Sequence, residues 1–486
     1  MAAALVMAIA LVSVLAFPAI GAVVAGATIL VQVCIIAVRL AVARSGLPKA
    51  ARAALSPDPV FSIHVAIHNE PPAMVARTLR ALSAQTWPAA RTEVVVVDNN
   101  TADPALWRPV EALCVELGPH FRFLHRMNVT GAKAGALNIA LAQTRADASH
   151  VVTVDADYVV DPDFLAHAAQ ALDRTGADYV QFPQAYLACT SVAAGVDAEL
   201  EEYFRTHARM ADGCEAVLLT GTLCVISRAA IHAVGGWSGR TASEDAEMGV
   251  RLCRKGFSGR FVNRVVGRGY LPLSLRDLER QRHRWAGGNL QTLIVHAPAI
   301  LLGRDGMGWS RRAAILSQLS AWLNLSLLPA IVLLTMLSAG RDGAMATRLA
   351  AVAILLSFAD MMARLVWRGL CDRTAPAVLA GALCNRIALA PVAALATVEV
   401  LIGRPMQFTV TDKSGTGLKP PRALPLITLA LFAAAAMVLP MALASGWLAT
   451  VAVLILMAPF PAACVTAQTL RRYRAVRSQA VGGAAA

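Results

Sequence analysis

Val151-Val152-Thr153-Val154-Asp155-Ala156-Asp157 is the stretch on which the fold turns. Four residues of β-branched type read as a short buried strand, and two carboxylates two positions apart leave its carboxyl end. The same grammar recurs upstream: Phe61 to Ile67 is followed by His68-Asn69-Glu70, and Glu93 to Val97 by Asp98-Asn99-Asn100. Phe121 to Leu124 and Tyr179 to Phe182 are further runs, with helical stretches such as Ala73 to Ala84 and Ala132 to Gln143 between them. That alternation predicts βαβ units on a mostly parallel sheet, with ligand bound beyond the carboxyl ends of the strands. Three acidic-polar clusters should then share one rim, although each alone is as readily a helix cap.

Around this unit the composition changes. The chain has 486 residues, 57% of them hydrophobic and 15% charged, with mean hydropathy +0.56. Water-facing surface needs more polar groups than that, so part of the chain belongs in lipid. Ala2 to Val38 carries no charge and as one helix would be about 55 Å long, against a hydrocarbon core of about 30 Å. Two short spans with a turn near Phe17-Pro18 and Gly21 are expected, in preference to a cleaved signal peptide. Apolar stretches near 313–338, 346–366, 375–402, 424–444 and 446–466 follow the polar unit; four are read as spans and Ala375 to Ile402, which contains Asn385-Arg386, as interfacial. The net charge of +13 comes without a basic run interleaved with aromatics, so it fits positive-inside bias and an anionic leaflet, with no nucleic-acid partner. Nine cysteines without CxxC spacing read as reduced structural residues.

Asp155 and Asp157 can present one carboxylate to a ribose or base and the other to a divalent cation, Mg²⁺ or Mn²⁺. Lys133, where a loop enters a helix, could face phosphate together with the helix N-terminus. Ser243-Glu244-Asp245 opens another helix; on position alone Asp245 is equally a cap and a general base. In Gln281-Arg282-His283-Arg284-Trp285 guanidinium groups could pair with a pyrophosphate and an indole ring could face a sugar, while an amphipathic helix snorkelling its basic heads to lipid explains the same residues. Trp322, Asn324, Asp360 and Arg364 interrupt apolar stretches and suit a polar sugar path or plain helix packing.

Together these residues resemble the processive branch of glycosyltransferase family 2, which contains cellulose, chitin, hyaluronan and curdlan-type synthases. The resemblance runs from Ser62 to Lys413. It implies that Gln281, Arg284 and Trp285, matching QxxRW, bind diphosphate and acceptor sugar; that Asp98, Lys133, Asp155 and Asp157 hold nucleotide and metal; and that Asp245, matching a TED motif, is the catalytic base. His68 and Glu70 join the nucleotide-sugar site, and Glu244 and Trp322 the acceptor and channel. Phe408-Thr409-Val410-Thr411-Asp412-Lys413 resembles an FxVTxK gating loop, with Phe408, Val410, Thr411 and Lys413 the matching positions. Segments at His68 to Pro72, Val97 to Pro109 and Phe121 to Phe123 resemble synthases of β-1,3-glucan and cyclic β-(1,3),(1,6)-glucan. Ser243 stands where Thr is usual, a change expected to keep the cap, and Asn99 where many relatives have a second Asp. No further domain is expected after the last span, so cyclic-di-GMP control is not carried over.

The resemblance therefore implies an α/β GT-A domain, with a mostly parallel sheet, inserted in an α-helical membrane domain of about six spans plus interfacial helices. The expected parts are two N-terminal membrane helices over 1–43, a GT-A domain over 55–272 and interfacial helices with QRHRW over 273–300. Two membrane helices over 312–367, an interfacial helix and gating loop over 374–420, two membrane helices over 423–467 and a basic tail over 468–486 complete them. The expected activity is inverting, processive transfer from a UDP-sugar, UDP-glucose above all, to a growing β-glucan. It is expected at the bacterial inner membrane, with the catalytic domain in the cytosol and room for periplasmic or membrane partner subunits. The alternative is transfer of a single sugar to a lipid or other acceptor.

Overall fold

The computed structural model describes residues 17–44, 58–187, 192–341, 344–404, 406 and 426–482, with 477–482 described by backbone alone. Helix α1 (Pro18–Arg44) leads from an apolar stretch to the polar unit. Among the described residues the polar unit has nine strands: β1 (Phe61–Ile67), β2 (Thr92–Asn99), β3 (Phe121–Arg126), β4 (His150–Thr153), β5 (Tyr158–Val160), β6 (Tyr179–Gln181), β7 (Cys224–Ser227), β8 (Gly259–Phe261) and β9 (Gly267–Gly269). Seven form one sheet in the order β3-β2-β1-β4-β7-β6-β8, and β5 pairs with β9. Pairing is parallel throughout β3-β2-β1-β4 and between β6 and β8; β7 runs antiparallel to both neighbours.

Helices α2 (Pro72–Ser83), α3 (Pro104–Leu117), α4 (Ala132–Ala142) and α5 (Phe164–Thr175) lie between the first strands as crossovers. Val94, Val95, Val96 and Val97 are all 0% exposed, so β2 is covered on both faces, which is why it reads as a continuous apolar run without alternation. The expected strand Glu93 to Val97 continues to Asn99, placing Asp98 and Asn99 inside the sheet. Ile67 pairs with Asp98, and Asp98 with His125, so three strand ends are level at one edge.

Beyond the sheet come α6 (Ala194–Tyr203), α7 (Glu244–Arg254) and α8 (Leu275–Val295). They are followed by α9 (Trp309–Leu319), α10 (Leu327–Ser338), α11 (Met345–Cys371), α12 (Pro376–Leu401), α13 (Leu426–Ser445), α14 (Trp447–Met457) and α15 (Pro459–Gly482). Among the described residues five helices are long and apolar enough to cross a membrane: α1, α11, α12, α13 and α14 continuing into α15.

Two expectations change. Gly21 lies inside α1, so a turn there is replaced by a helix that starts at Pro18. The stretch 313–338 divides into α9 and α10, where Gln318 turns to the polar unit: its Nε2 donates to Ala216 O (2.8 Å) and its Oε1 accepts from Leu218 N (2.8 Å). Asn324 then shapes the turn before the restart, accepting from Ser326 N at 2.9 Å. The stretch 375–402 forms one helix, α12, with the length and composition of a span, and its Asn385 and Arg386 are buried against carboxylates of α6. Within the expected basic tail, residues 468–482 continue α15, and Tyr473, 2% exposed, donates to Leu187 O at 3.1 Å.

Candidate functional site

Lys133 sits in the first turn of α4 and is the hub of the cleft. Its Nζ donates to Asp155 Oδ1 and to Gly221 O (2.9 Å), and lies 3.9 Å from Glu244 Oε1. Burial works against the ammonium, but Asp155, Glu244 and Asp245 outweigh it and hold its pKa above the ordinary lysine range. Asp155 follows β4, and its N–H donates to Thr222 Oγ1 at 3.1 Å. Gly221 has φ +87°, and a Cβ there would fall 2.7 Å from Asp245 Oδ2 and 3.4 Å from Lys133 Nζ. Only glycine allows this turn to slip between the two charges. Lys133 therefore joins the acid that follows β4 to the acid that opens α7.

Asp245 accepts from its neighbour Ala246 N at 2.7 Å. Burial first, and Glu244 second, push its carboxyl up to about 7, against the pull of Lys133 and Arg284. Ser243 occupies the position before α7 yet makes no side-chain cap bond, contrary to expectation. Its hydroxyl turns to α8 instead, where a Cβ on Gly288 would lie 2.2 Å from Ser243 Oγ. A cavity of about 460 Å³ opens beside these residues, lined by Asp245, Trp285, Trp322, Tyr203, Gln184 and Asn289 among others.

The other candidates take up two further places. Asp98 is 1% exposed, and its oxygens accept from Thr101 Oγ1 (2.5 Å) and His125 Nδ1 (2.6 Å), so it faces protein on both sides. His68 donates to Asn99 O at 2.6 Å. Asn99 donates its amide to Ile67 O at 2.9 Å, a bond that a carboxylate could not make. Glu70 accepts from His68 N; burial raises its carboxyl to about 8, and Asp157 and Asp155 push the same way. Gln281 accepts from Tyr186 OH at 3.2 Å, and Arg284 is close enough to act on Asp245. Trp285 and Trp322 have ring centroids 5.3 Å apart. Trp322 is 8% exposed, with Tyr203 stacked on it at 5.3 Å and Arg282 Cζ 4.0 Å from its centroid, so much of that ring faces protein and not the cavity. Phe408, Val410, Thr411 and Lys413 lie outside the described residues.

The acids bear on the expected metal. No group of three or more His, Cys, Asp or Glu side chains in ligating arrangement occurs among the described residues. Asp157 and Asp155 nevertheless add to the burial that raises the Glu70 carboxyl, and a divalent cation beside these acids would offset that contribution. Oxygen donors of this type fit Mg²⁺ or Mn²⁺, each of which keeps waters and substrate oxygens in its shell.

The sequence reading did not single out Gly221 or Thr222 at the cleft, nor Glu199 and Tyr203 packed beside it. Thr220-Gly221-Thr222 carries a weak turn signal, whereas Glu199 and Tyr203 sit in Glu199-Leu200-Glu201-Glu202-Tyr203, which reads as an ordinary solvated helix face.

Comparison with known proteins accords with this geometry. A family model described as glycosyl transferase family 2 matches residues 62–235, and one described as glycosyl transferase family group 2 matches residues 150–367. The chain is similar to the cellulose synthase catalytic subunit [UDP-forming] of Xanthomonas axonopodis pv. citri (strain 306), 29% identical over 266 residues, covering 53% of this chain and 35% of that protein. It is also similar to beta-monoglucosyldiacylglycerol synthase of Synechocystis sp. (strain ATCC 27184 / PCC 6803 / Kazusa), 30% identical over 269 residues, covering 54% of each. The chain thus spans about a third to a half of the length of these curated relatives. Among solved structures, the mannosyltransferase PcManGT from Pyrobaculum calidifontis, in complex with GDP-Man and Mn²⁺, superposes with TM-score 0.53 at 20% identity, covering 78% of this chain and 99% of that one, a likeness of fold of the GT-A type. The two family models overlap over residues 150–235, on the cleft, and together they match residues 62–367, a stretch similar to the glycosyltransferase family 2 domains of cellulose synthases.

Proposed function

We propose that this protein is an inverting, processive glycosyltransferase of the bacterial inner membrane that polymerises sugar from a UDP-sugar, UDP-glucose above all, into a β-1,3-type glucan and passes it across the bilayer. The observation that carries the reading is the meeting of Asp245 and Trp285 in one cavity, with Lys133, bonded to Asp155, on the other side of Gly221 from Asp245. A single displacement on a nucleotide sugar needs one base and a stabilised leaving group, and no more. Asp245 takes the proton of the acceptor hydroxyl, and that oxygen bonds to the anomeric carbon as the bond to the diphosphate breaks. Lys133 and Arg284 stand beside Asp245 and meet the charge that builds on the departing phosphate. Asp157 and Asp155 would hold Mg²⁺ or Mn²⁺, which supplies further neutralisation of the diphosphate when bound. Trp285 gives the acceptor sugar an apolar face.

His68, Glu70, Asp98 and Gln281 complete the nucleotide-sugar side in this reading, Asp98 through His125. Glu244 lies at the acceptor mouth, and the segment with Phe408, Val410, Thr411 and Lys413 covers bound nucleotide. The similarity to a monoglucosyldiacylglycerol synthase favours a second reading, transfer of one sugar to a lipid. Both are tested by supplying radiolabelled UDP-glucose to the purified protein in lipid vesicles and resolving the products. A ladder of long glucan with 1,3-linkages supports the first reading; label in the lipid fraction alone replaces it with the second; absence of UDP release defeats both.

A further inference from the structure

An unbroken series of alternating charges runs from the helix of Trp285 into the membrane helices. Arg282 on α8 makes a two-pronged pair with Glu199 on α6, at 3.0 and 2.7 Å. Glu199 also accepts from Arg386 Nε and from Asn385 Nδ2 (3.2 Å) on α12, and its backbone oxygen accepts from Arg386 at 3.1 Å. Arg386 reaches Glu202 at 3.0 Å, and Glu202 faces Arg364 of α11 at 3.7 Å. Arg364 and Arg39 of α1 then share Asp360, each at 2.6 Å. Every carboxylate in the series bridges two guanidinium groups.

Such a series is costly to bury, and apolar residues of similar volume would hold helices together as well or better. Glu199 and Arg282 are 2% and 5% exposed, so solvent does little to offset that cost. What Arg282 touches suggests its use. Its guanidinium lies 4.0 Å from the Trp322 ring centroid and 5.8 Å from that of Trp285. One turn along α6 from Glu199, Tyr203 stacks on Trp322 with an interplanar angle of 17°. One short helix therefore holds both the anchor of the guanidinium and a ring packed on Trp322. Both tryptophans line the cavity of Asp245.

We propose that Glu199 is a positioning residue for the acceptor: by clamping Arg282 against Trp285 and Trp322 it sets the sugar-bearing ring at the distance from Asp245 at which an acceptor hydroxyl, and not water, attacks the donor. The inference rests on the reading of Trp285 as the acceptor face given above. It separates two reactions that share the donor, Asp245 and the leaving group. Hydrolysis of the nucleotide sugar needs no acceptor alignment, whereas transfer to a glucan end does, and small misplacements of a bound reactant are heavily penalised.

The test measures UDP release and glucan incorporation side by side from UDP-glucose, in vesicles holding the full chain. Glu199→Gln and Arg282→Lys should leave hydrolysis within about threefold of wild type while transfer falls about 10- to 100-fold, the range that misplacement of an acceptor produces. Trp fluorescence should shift in parallel, since two of the rings lose their guanidinium neighbour. If Glu199→Gln does not assemble, Glu199→Gln with Arg386→Met, which removes an anion and a cation together, and Arg282→Lys, which keeps every charge, decide by the same ratio. Hydrolysis and transfer falling in equal proportion overturns this inference alone. A wild-type protein that releases no UDP overturns the proposed function and this inference with it.

Discussion

Asp245 is held at a protonation balance that its place in the site demands. Burial and Glu244 lift its carboxyl from 3.8 to about 7, while Lys133 and Arg284 restrain the rise. A base must be unprotonated before it accepts a proton, so transfer should increase as pH rises through about 7. Stability should move the other way: between the unfolded value of 3.8 and the folded value of about 7 the folded chain keeps a proton that the unfolded chain has lost, so folding weakens across that window as pH rises. Asp245→Asn should cost about 10²- to 10⁴-fold in transfer while UDP binding persists. The same variant should unfold at higher temperature than wild type above about pH 7, because it removes a buried charge beside Glu244. Initial rates and thermal unfolding measured over the same pH series check both signs. At the cation site, chelation should stop turnover and return the Glu70 carboxyl towards its raised value near 8, with Mn²⁺ or Mg²⁺ restoring activity; a rate indifferent to chelator speaks against a metal at Asp155 and Asp157. Asp155, Asp157 and Asp245 were legible because each follows a strand or opens a helix in a recognisable string. Glu199 was not, because a glutamate on a helix is ordinarily solvated and its two arginine partners are 83 and 187 positions away.

Elements place these residues through close backbone approaches. Gly221 lets the turn before β7 lie between Lys133 and Asp245, and Gly288 lets α8 lie on the start of α7. Gly221→Ala should strain the turn by about 1–3 kcal/mol, since the residue holds φ +87°, and should displace the Asp245 carboxylate. The expected result is a fall in kcat with donor binding kept, read by steady-state kinetics beside UDP titration. Gly288→Ala would bring a methyl within 2.2 Å of Ser243 Oγ, so α8 must move away from α7 and the cavity must widen. That variant should raise the acceptor requirement more than the donor KM, which acceptor-dependence curves distinguish. The strands were readable from β-branched runs because a sheet buried on both faces leaves no alternative for Val94 to Val97. The helix break at 320–326 was not, because hydropathy sees an apolar stretch while Gln318 sees Ala216 and Leu218 a hundred positions away. For the same reason the partners of Asn385 and Arg386, Glu199 and Glu202, were not legible.

At the scale of the whole molecule, the cavity of Asp245 and Trp285 has a neighbour. A second cavity of about 640 Å³ shares Trp322 with it and lies among α1, α11 and α12, lined by Arg39, Arg282, Ser320, Asn324, Asp360 and Arg386 among others. In the proposed synthase that exports its own product, sugar would pass from Asp245 by way of Trp322 into this second cavity, whose polar groups are expensive within a bilayer unless something polar meets them. Inverted membrane vesicles, which present the catalytic unit to the medium, should therefore accumulate glucan on the inside. Supplied with radiolabelled UDP-glucose, they should hold product that an added β-1,3-glucanase cannot reach until detergent opens the membrane. Trp322→Ala should shorten the protected product by removing the ring shared by the two cavities, with UDP release per protein falling less than chain length. Product digested before detergent is added would mean that sugar is joined at the membrane surface and never enters the path. The transfer chemistry at Asp245 would then stand, and the second cavity would be a structural space filled by ion pairs.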